Sequence, residues 1–165
     1  MKIAELIDRS CIALDLEAGD KAKAIGLLAG RLQKAGALLD VSRYEEAVSH
    51  REQEFSTAVG YGIAIPHGKS AAVRRPAVAF ARLAQPVLWS DDPDDEPVHM
   101  VFLLAVPEAD AGDRHLRILA RLARSLLDEG FRSNLESART PVDVLTALER
   151  VESSDKPAGG EGGES

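Results

Sequence analysis

Apolar positions along the chain follow two periods that alternate. Residues 11–16, Cys-Ile-Ala-Leu-Asp-Leu, read as a strand, and Asp20 then caps a helix whose Ala24, Leu27, Leu28, Leu32 and Ala35 recur at helical spacing until Gly36 stops it. A second helix is predicted from residue 43 to about 52, because Ser42 with Glu45 makes a capping-box pattern, and it places Arg51 near its C-terminal end. Strands dominate the middle. They are expected at 63–66, at 78–82 with strict alternation, and at 100–106, a continuous apolar run long enough to lie centrally in a sheet. The last third reads as helical: Asp113 is placed to cap a helix with Leu116, Leu119, Leu122, Ala123, Leu126 and Leu127 as its apolar stripe, which leaves His115 in the first turn and off the stripe. A final helix is expected to open at Thr140-Pro141 and to bury Val144, Leu145 and Leu148. Such alternation predicts a layered α/β domain.

A chain of 165 residues with 45% hydrophobic content suffices for one well-buried core, which sets a single domain over residues 1–151. Residues 152–165 have the composition of a flexible linker or disordered tail, with no apolar residue larger than alanine from Ser153 onward, and the segment is expected to be dispensable for folding. A net charge of −7 without a basic cluster argues against nucleic acid. No apolar stretch approaches the roughly 20 residues that cross a bilayer, and the N-terminus lacks a signal core, so a cytoplasmic domain without direct membrane insertion is expected. The single cysteine, Cys11, stands among Ile12, Ala13 and Leu14 and reads as a small buried apolar residue without chemistry. Five acids in residues 91–96 read as a solvated turn between strands.

Candidate chemistry concentrates in residues 60–68, Gly-Tyr-Gly-Ile-Ala-Ile-Pro-His-Gly. The first two glycines allow the main chain to turn and to approach a ligand closely, and Ile63-Ala64-Ile65 reads as a short buried strand. Pro66 ends that strand and biases Ile65 toward an extended conformation, so His67 is delivered at the strand's end in a nearly fixed direction, with Gly68 leaving room beside the imidazole. A dinucleotide site fails here, since the third glycine is missing and Pro66 interrupts where a phosphate-binding helix would begin. A zinc site is likewise unsupported: His50, His67, His99 and His115 are scattered singly, with no paired cysteine. No cofactor and no metal are expected.

The segment Gly-x-Gly-Ile-Ala-Ile-Pro-His-Gly resembles the phosphorylation-site signature of the type-2 enzyme IIA domains of the bacterial sugar phosphotransferase system, the fructose, mannitol and nitrogen-regulatory branch. The likeness extends over roughly residues 1–150 through Arg51-Glu52, the run from Val101 to Glu108, and His115-Leu116. It implies a single-domain three-layer α/β sandwich, with a central mixed β-sheet flanked by helices on both faces. It further implies that His67 accepts a phosphoryl group from phospho-HPr and hands it to a cysteine of a IIB component, either a separate subunit or a domain fused downstream with a membrane IIC segment. The strand around Ala79 to Leu83 and the segment from Ala105 to Leu116 look closest to the fructose branch. The rival reading is a regulatory phosphoprotein of the nitrogen type, which signals by binding partner proteins.

Phosphoryl transfer between histidines needs one ring nitrogen free to attack, the other held by an acceptor, and donors around the transferred oxygens. The resemblance assigns the donors to Arg51, whose planar fork can grip two oxygens, and to His115, whose ring can donate one hydrogen bond from a helix N-terminus. By spacing alone, Arg51 could equally be an exposed helical arginine paired with Glu52 or Glu54. Lys69 adds positive charge two residues beyond His67, but a flexible lysine there is as readily solvent-facing and receives no role.

Overall fold

Strand β6 (Val98–Pro107) is the spine of the molecule, buried along almost its whole length as its unbroken apolar run demands. The computed structural model describes residues 2–110 and 113–154. Antiparallel to β6 runs β5 (Ala77–Val87), with Phe80 opposite Phe102, and the edge strand β1 (Ile7–Leu16) pairs parallel to β5. On the other side of β6 lie β3 (Ile63–Ala64) and β4 (His67–Ser70), both parallel to it, and β2 (Ala58–Gly60) runs antiparallel to β3. The result is a six-stranded mixed sheet.

Alternation along β5 and β6 divides the core into two layers. Ala79, Ala81, Val101, Leu103 and Ala105 face helices α1 (Lys21–Lys34) and α2 (Val41–Glu54). Val78, Phe80, Met100, Phe102 and Leu104 face α3 (Arg114–Ser125), α4 (Glu129–Ser137) and α5 (Pro141–Ser154). This is the three-layer sandwich expected. Small residues dominate the first set and bulky ones the second, which lets α1 and α2 approach the sheet closely. At Gly68 that approach is tightest: an added Cβ would lie 2.9 Å from Val48 Cγ2 and 3.2 Å from Tyr44 Cε1. Gly68→Ala is therefore expected to lower stability by about 1–3 kcal/mol, seen as a lower urea midpoint with unchanged slope. An unchanged midpoint would mean that α2 moves aside freely.

Several elements depart from the sequence expectation. Helix α2 starts at Val41, because Asp40 accepts the Arg43 amide at 3.2 Å; Ser42 sits inside the first turn, and the capping box with Glu45 does not form. In α3 the buried residues are Ile118, Leu122 and Ser125, followed by Leu126, whereas Leu116 and Leu127 are exposed. The stripe is rotated from the one expected, and His115 stands at i−3 to Ile118, in line with the core face rather than off it. Asp113 makes no side-chain cap to α3 and instead pairs with Arg117 at 2.9 Å. Helix α5 continues to Ser154 with Glu152 buried, so packed structure passes the boundary expected at residue 151; residues 155–165 of the expected tail lie outside the described residues. Cys11 is buried, and residues 91–96 form an exposed turn between β5 and β6, both as read from sequence.

Candidate functional site

Pro66 does not end the sheet; it interrupts one strand line without shifting it. Ile63 pairs with Met100 and His67 with Leu104, the same offset of 37 positions on both sides of the break. Proline has no N–H to give to the ladder, yet its carbonyl accepts the Leu104 amide at 3.0 Å. The Ile65 amide turns away to the Thr57 carbonyl at 3.0 Å, and the Ile65 carbonyl is left to a side chain. That side chain is His67, whose Nδ1 lies 3.0 Å from the Ile65 oxygen. Since a carbonyl only accepts, Nδ1 carries the proton and Nε2 presents its lone pair. The ring is half-buried, with one nitrogen spoken for and the other available.

The glycines preceding the histidine make the turn expected of them. Tyr61 and Gly62 have φ of 60° and 72°, the two-residue hairpin that joins β2 to β3. A Cβ at Gly62 would collide with the His99 imidazole, so a neighbouring side chain and the positive φ both require glycine there. The Tyr61 ring stacks under the Arg132 guanidinium, 3.8 Å from its centroid.

Arg51 lies in the last turn of α2 and His115 in the first turn of α3, on opposite faces of the sheet, and both act electrostatically on His67. Arg51 is held by its own chain, donating from Nη1 to the Phe55 carbonyl at 2.9 Å. The pairing with Glu52 or Glu54 left open by spacing gives way to other partners: Glu54 sits 3.8 Å from His50, and Glu52 turns inward to Thr57 and Lys21. Lys69 is exposed. Burial is the main cause that holds the His67 pKa below the usual histidine range; the charges of Arg51 and His115 lower it further, against the raising effects of the Ile65 carbonyl and Glu52. His67 should therefore remain neutral below the ordinary value of about 6.5, and an NMR titration of its ring is expected to give a midpoint under that of an exposed histidine. A midpoint at or above the ordinary value would contradict this electrostatic account.

Thr57 and Trp89 escaped the sequence reading, as did the inward turn of Glu52. Glu52 is buried, Thr57 donates its hydroxyl to the Glu52 carboxylate, and Trp89 Nε1 donates to Thr57 Oγ1 at 3.2 Å. Thr57 sits in an irregular stretch after α2, where no periodicity marks it; the one available signal was a glutamate on the inner face of α2, at i+4 from Val48 and i+8 from Tyr44. Among the described residues no group of three or more His, Cys, Asp or Glu could hold a metal ion, and no helix is long and apolar enough to cross a membrane.

Comparison with known proteins gives a consistent picture. The sequence profile of the family described as "Phosphoenolpyruvate-dependent sugar phosphotransferase system, EIIA 2" matches residues 5–151. A fructose-specific EIIABC component of Bacillus subtilis is 40% identical over 148 residues, which cover 88% of this chain and 23% of that protein. The chain thus spans about a quarter of that relative's length. A fructose-specific EIIA component of Haloferax volcanii is also 40% identical, over 88% of this chain and 96% of its own. Among solved structures, the nitrogen regulatory protein IIA-Ntr of Neisseria meningitidis is 34% identical and superposes with a TM-score of 0.80, covering 88% of this chain and 98% of that one. With a profile match over nearly all the described structure, and with the fold and the Pro66-His67-Gly68 strand break in place, the chain belongs to the type-2 EIIA family of the phosphoenolpyruvate-dependent sugar phosphotransferase system.

Proposed function

We propose that this phosphotransferase domain accepts a phosphoryl group from phospho-HPr on Nε2 of His67 and passes it to a cysteine of a IIB component in the cytoplasm, serving uptake of a fructose-like sugar. The observation that carries this reading is the division of labour on the His67 ring, where Nδ1 is fixed by the Ile65 carbonyl at 3.0 Å and Nε2 is left as the nucleophile. In the transfer the Nε2 lone pair forms the new N–P bond while the donor's N–P bond breaks and the donor imidazole keeps the electron pair. Charge spreads over three equatorial oxygens, which favours fixed donors at their rim. Arg51 and His115 are assigned that role because both act electrostatically on His67, one from each helical layer. Fructose is supported by the names of two relatives at 40% identity, and a IIB acceptor by the EIIABC composition of the Bacillus protein.

A regulatory role is the second reading, favoured by the superposition on IIA-Ntr. One experiment separates them. Incubation with phosphoenolpyruvate, enzyme I and HPr should place one acid-labile, base-stable phosphate on the chain, and a fructose-type IIB domain should then remove it within seconds. Retention of phosphate in the presence of that IIB domain would favour the regulator, and absence of labelling would overturn both.

A further inference from the structure

We propose that Thr57 is a positioning residue that sets His67 through the backbone, clamping the arginine-bearing end of α2 to the strand line that presents the imidazole. The inference rests on the reading of His67 as the phosphoryl acceptor. Its hydrogen-bond directions are fixed by chemistry. Trp89 Nε1 can only donate, so Thr57 Oγ1 accepts from it at 3.2 Å and must spend its own proton on the Glu52 carboxylate, which can only accept. The other oxygen of Glu52 faces Lys21 Nζ at 3.5 Å, which offsets the charge of a carboxylate that is almost wholly buried. The side chain of Thr57 is therefore immobilised on both sides.

Its main chain carries the consequence outward. The Thr57 carbonyl accepts the Ile65 amide at 3.0 Å, and the Ile65 carbonyl accepts His67 Nδ1–H at 3.0 Å. Moving Thr57 moves the very oxygen that selects the His67 tautomer. The same clamp governs the cation: Glu52 is the neighbour of Arg51 in the last turn of α2, and Phe55, whose carbonyl holds the Arg51 guanidinium at 2.9 Å, is in the loop that Thr57 ends. One hydroxyl thus keeps nucleophile and phosphate-facing arginine in register, although it touches neither.

Thr57→Val removes the hydroxyl while keeping the shape, Thr57→Ser restores it, and Glu52→Gln keeps an acceptor without a buried charge. Two measurements are made on each folded variant: the ring ¹⁵N shifts of unphosphorylated His67, which report the tautomer, and the single-turnover rate of phosphorylation from phospho-HPr. Removing a partner that orients a metal-ligating histidine typically costs roughly 10–100-fold in activity, and by the same logic of orientation Thr57→Val should show a mixed tautomer and a rate loss in that range. Thr57→Ser should return both toward wild type, and Glu52→Gln should lie between. Wild-type tautomer and rate in Thr57→Val would overturn the proposal, as would a rate loss that Thr57→Ser fails to rescue. Should Thr57→Val not fold, Glu52→Gln decides: a shifted tautomer supports the clamp and an unshifted one overturns it. If the wild-type chain takes no phosphate, the phosphocarrier reading falls, while the tautomer measurement still judges the clamp by itself.

Discussion

A chain carrying His67→Ala is expected to remain folded and to take no phosphate from phospho-HPr. The ring is half-buried at the start of β4, and the ladder there is made by backbone groups, so truncation removes little packing. What it removes entirely is the nucleophile. The remaining histidines are poorly placed to substitute: His50 lies against Glu54 at 3.8 Å on an exposed helical face, and His99 is lodged against Gly62 with Nε2 3.6 Å from Glu136. Among the described residues, His115 has no carbonyl clasp like the one at His67 Nδ1. The measurement is acid-labile label per chain after incubation with phosphoenolpyruvate, enzyme I and HPr, with circular dichroism to establish folding. Labelling equal to wild type would move the acceptor to another residue.

Arg51→Ala and His115→Ala should slow transfer without abolishing it, because both residues are assigned to the oxygens of the group in flight and not to the bond being made. Loss of one preorganised donor at such a site costs on the order of 10²–10³ in rate. The arginine change should be the worse of the two, since it removes a permanent charge and a two-pronged donor. His115→Asn, which donates without titrating, should recover part of the loss and would thereby assign hydrogen bonding rather than acid catalysis. Single-turnover rates from phospho-HPr decide the matter. Wild-type rates in both alanine variants would remove these residues from the mechanism.

How far the sequence reached depended on whether a feature has a period. β6 was legible because an apolar run of that length has few other homes, and α1 because Asp20, its stripe and Gly36 all agree. α3 was misread in phase: leucines at 116, 119, 122, 126 and 127 with Ile118 offer more than one stripe, and only packing on the sheet selects the one through Ile118 and Leu122. β4 was missed because proline reads as a terminator, whereas here it breaks the hydrogen bonds and preserves the register. Of the candidate site, His67, Arg51 and His115 were reached by family resemblance, and Arg51 and His115 are among the groups whose electrostatic effect is felt at His67. The Ile65 carbonyl and the Thr57 hydroxyl act through main-chain geometry, which leaves no trace in residue spacing.

Glu152 has a consequence for the order in which the chain is completed. Its buried carboxylate accepts the amides of Ile3 at 2.6 Å and Ala4 at 3.1 Å, and lies 3.7 Å from Arg121 Nη1. The 3₁₀ turn Ile3–Glu5 is therefore fastened by a residue 149 positions later than Ile3. A chain emerging from the ribosome cannot close that latch until α5 has left the exit tunnel, however early its first strand is ready. Residues 3–5 should be among the last of this domain to gain protection from hydrogen exchange during synthesis, and a nascent chain arrested within α5 should still exchange freely at Ile3.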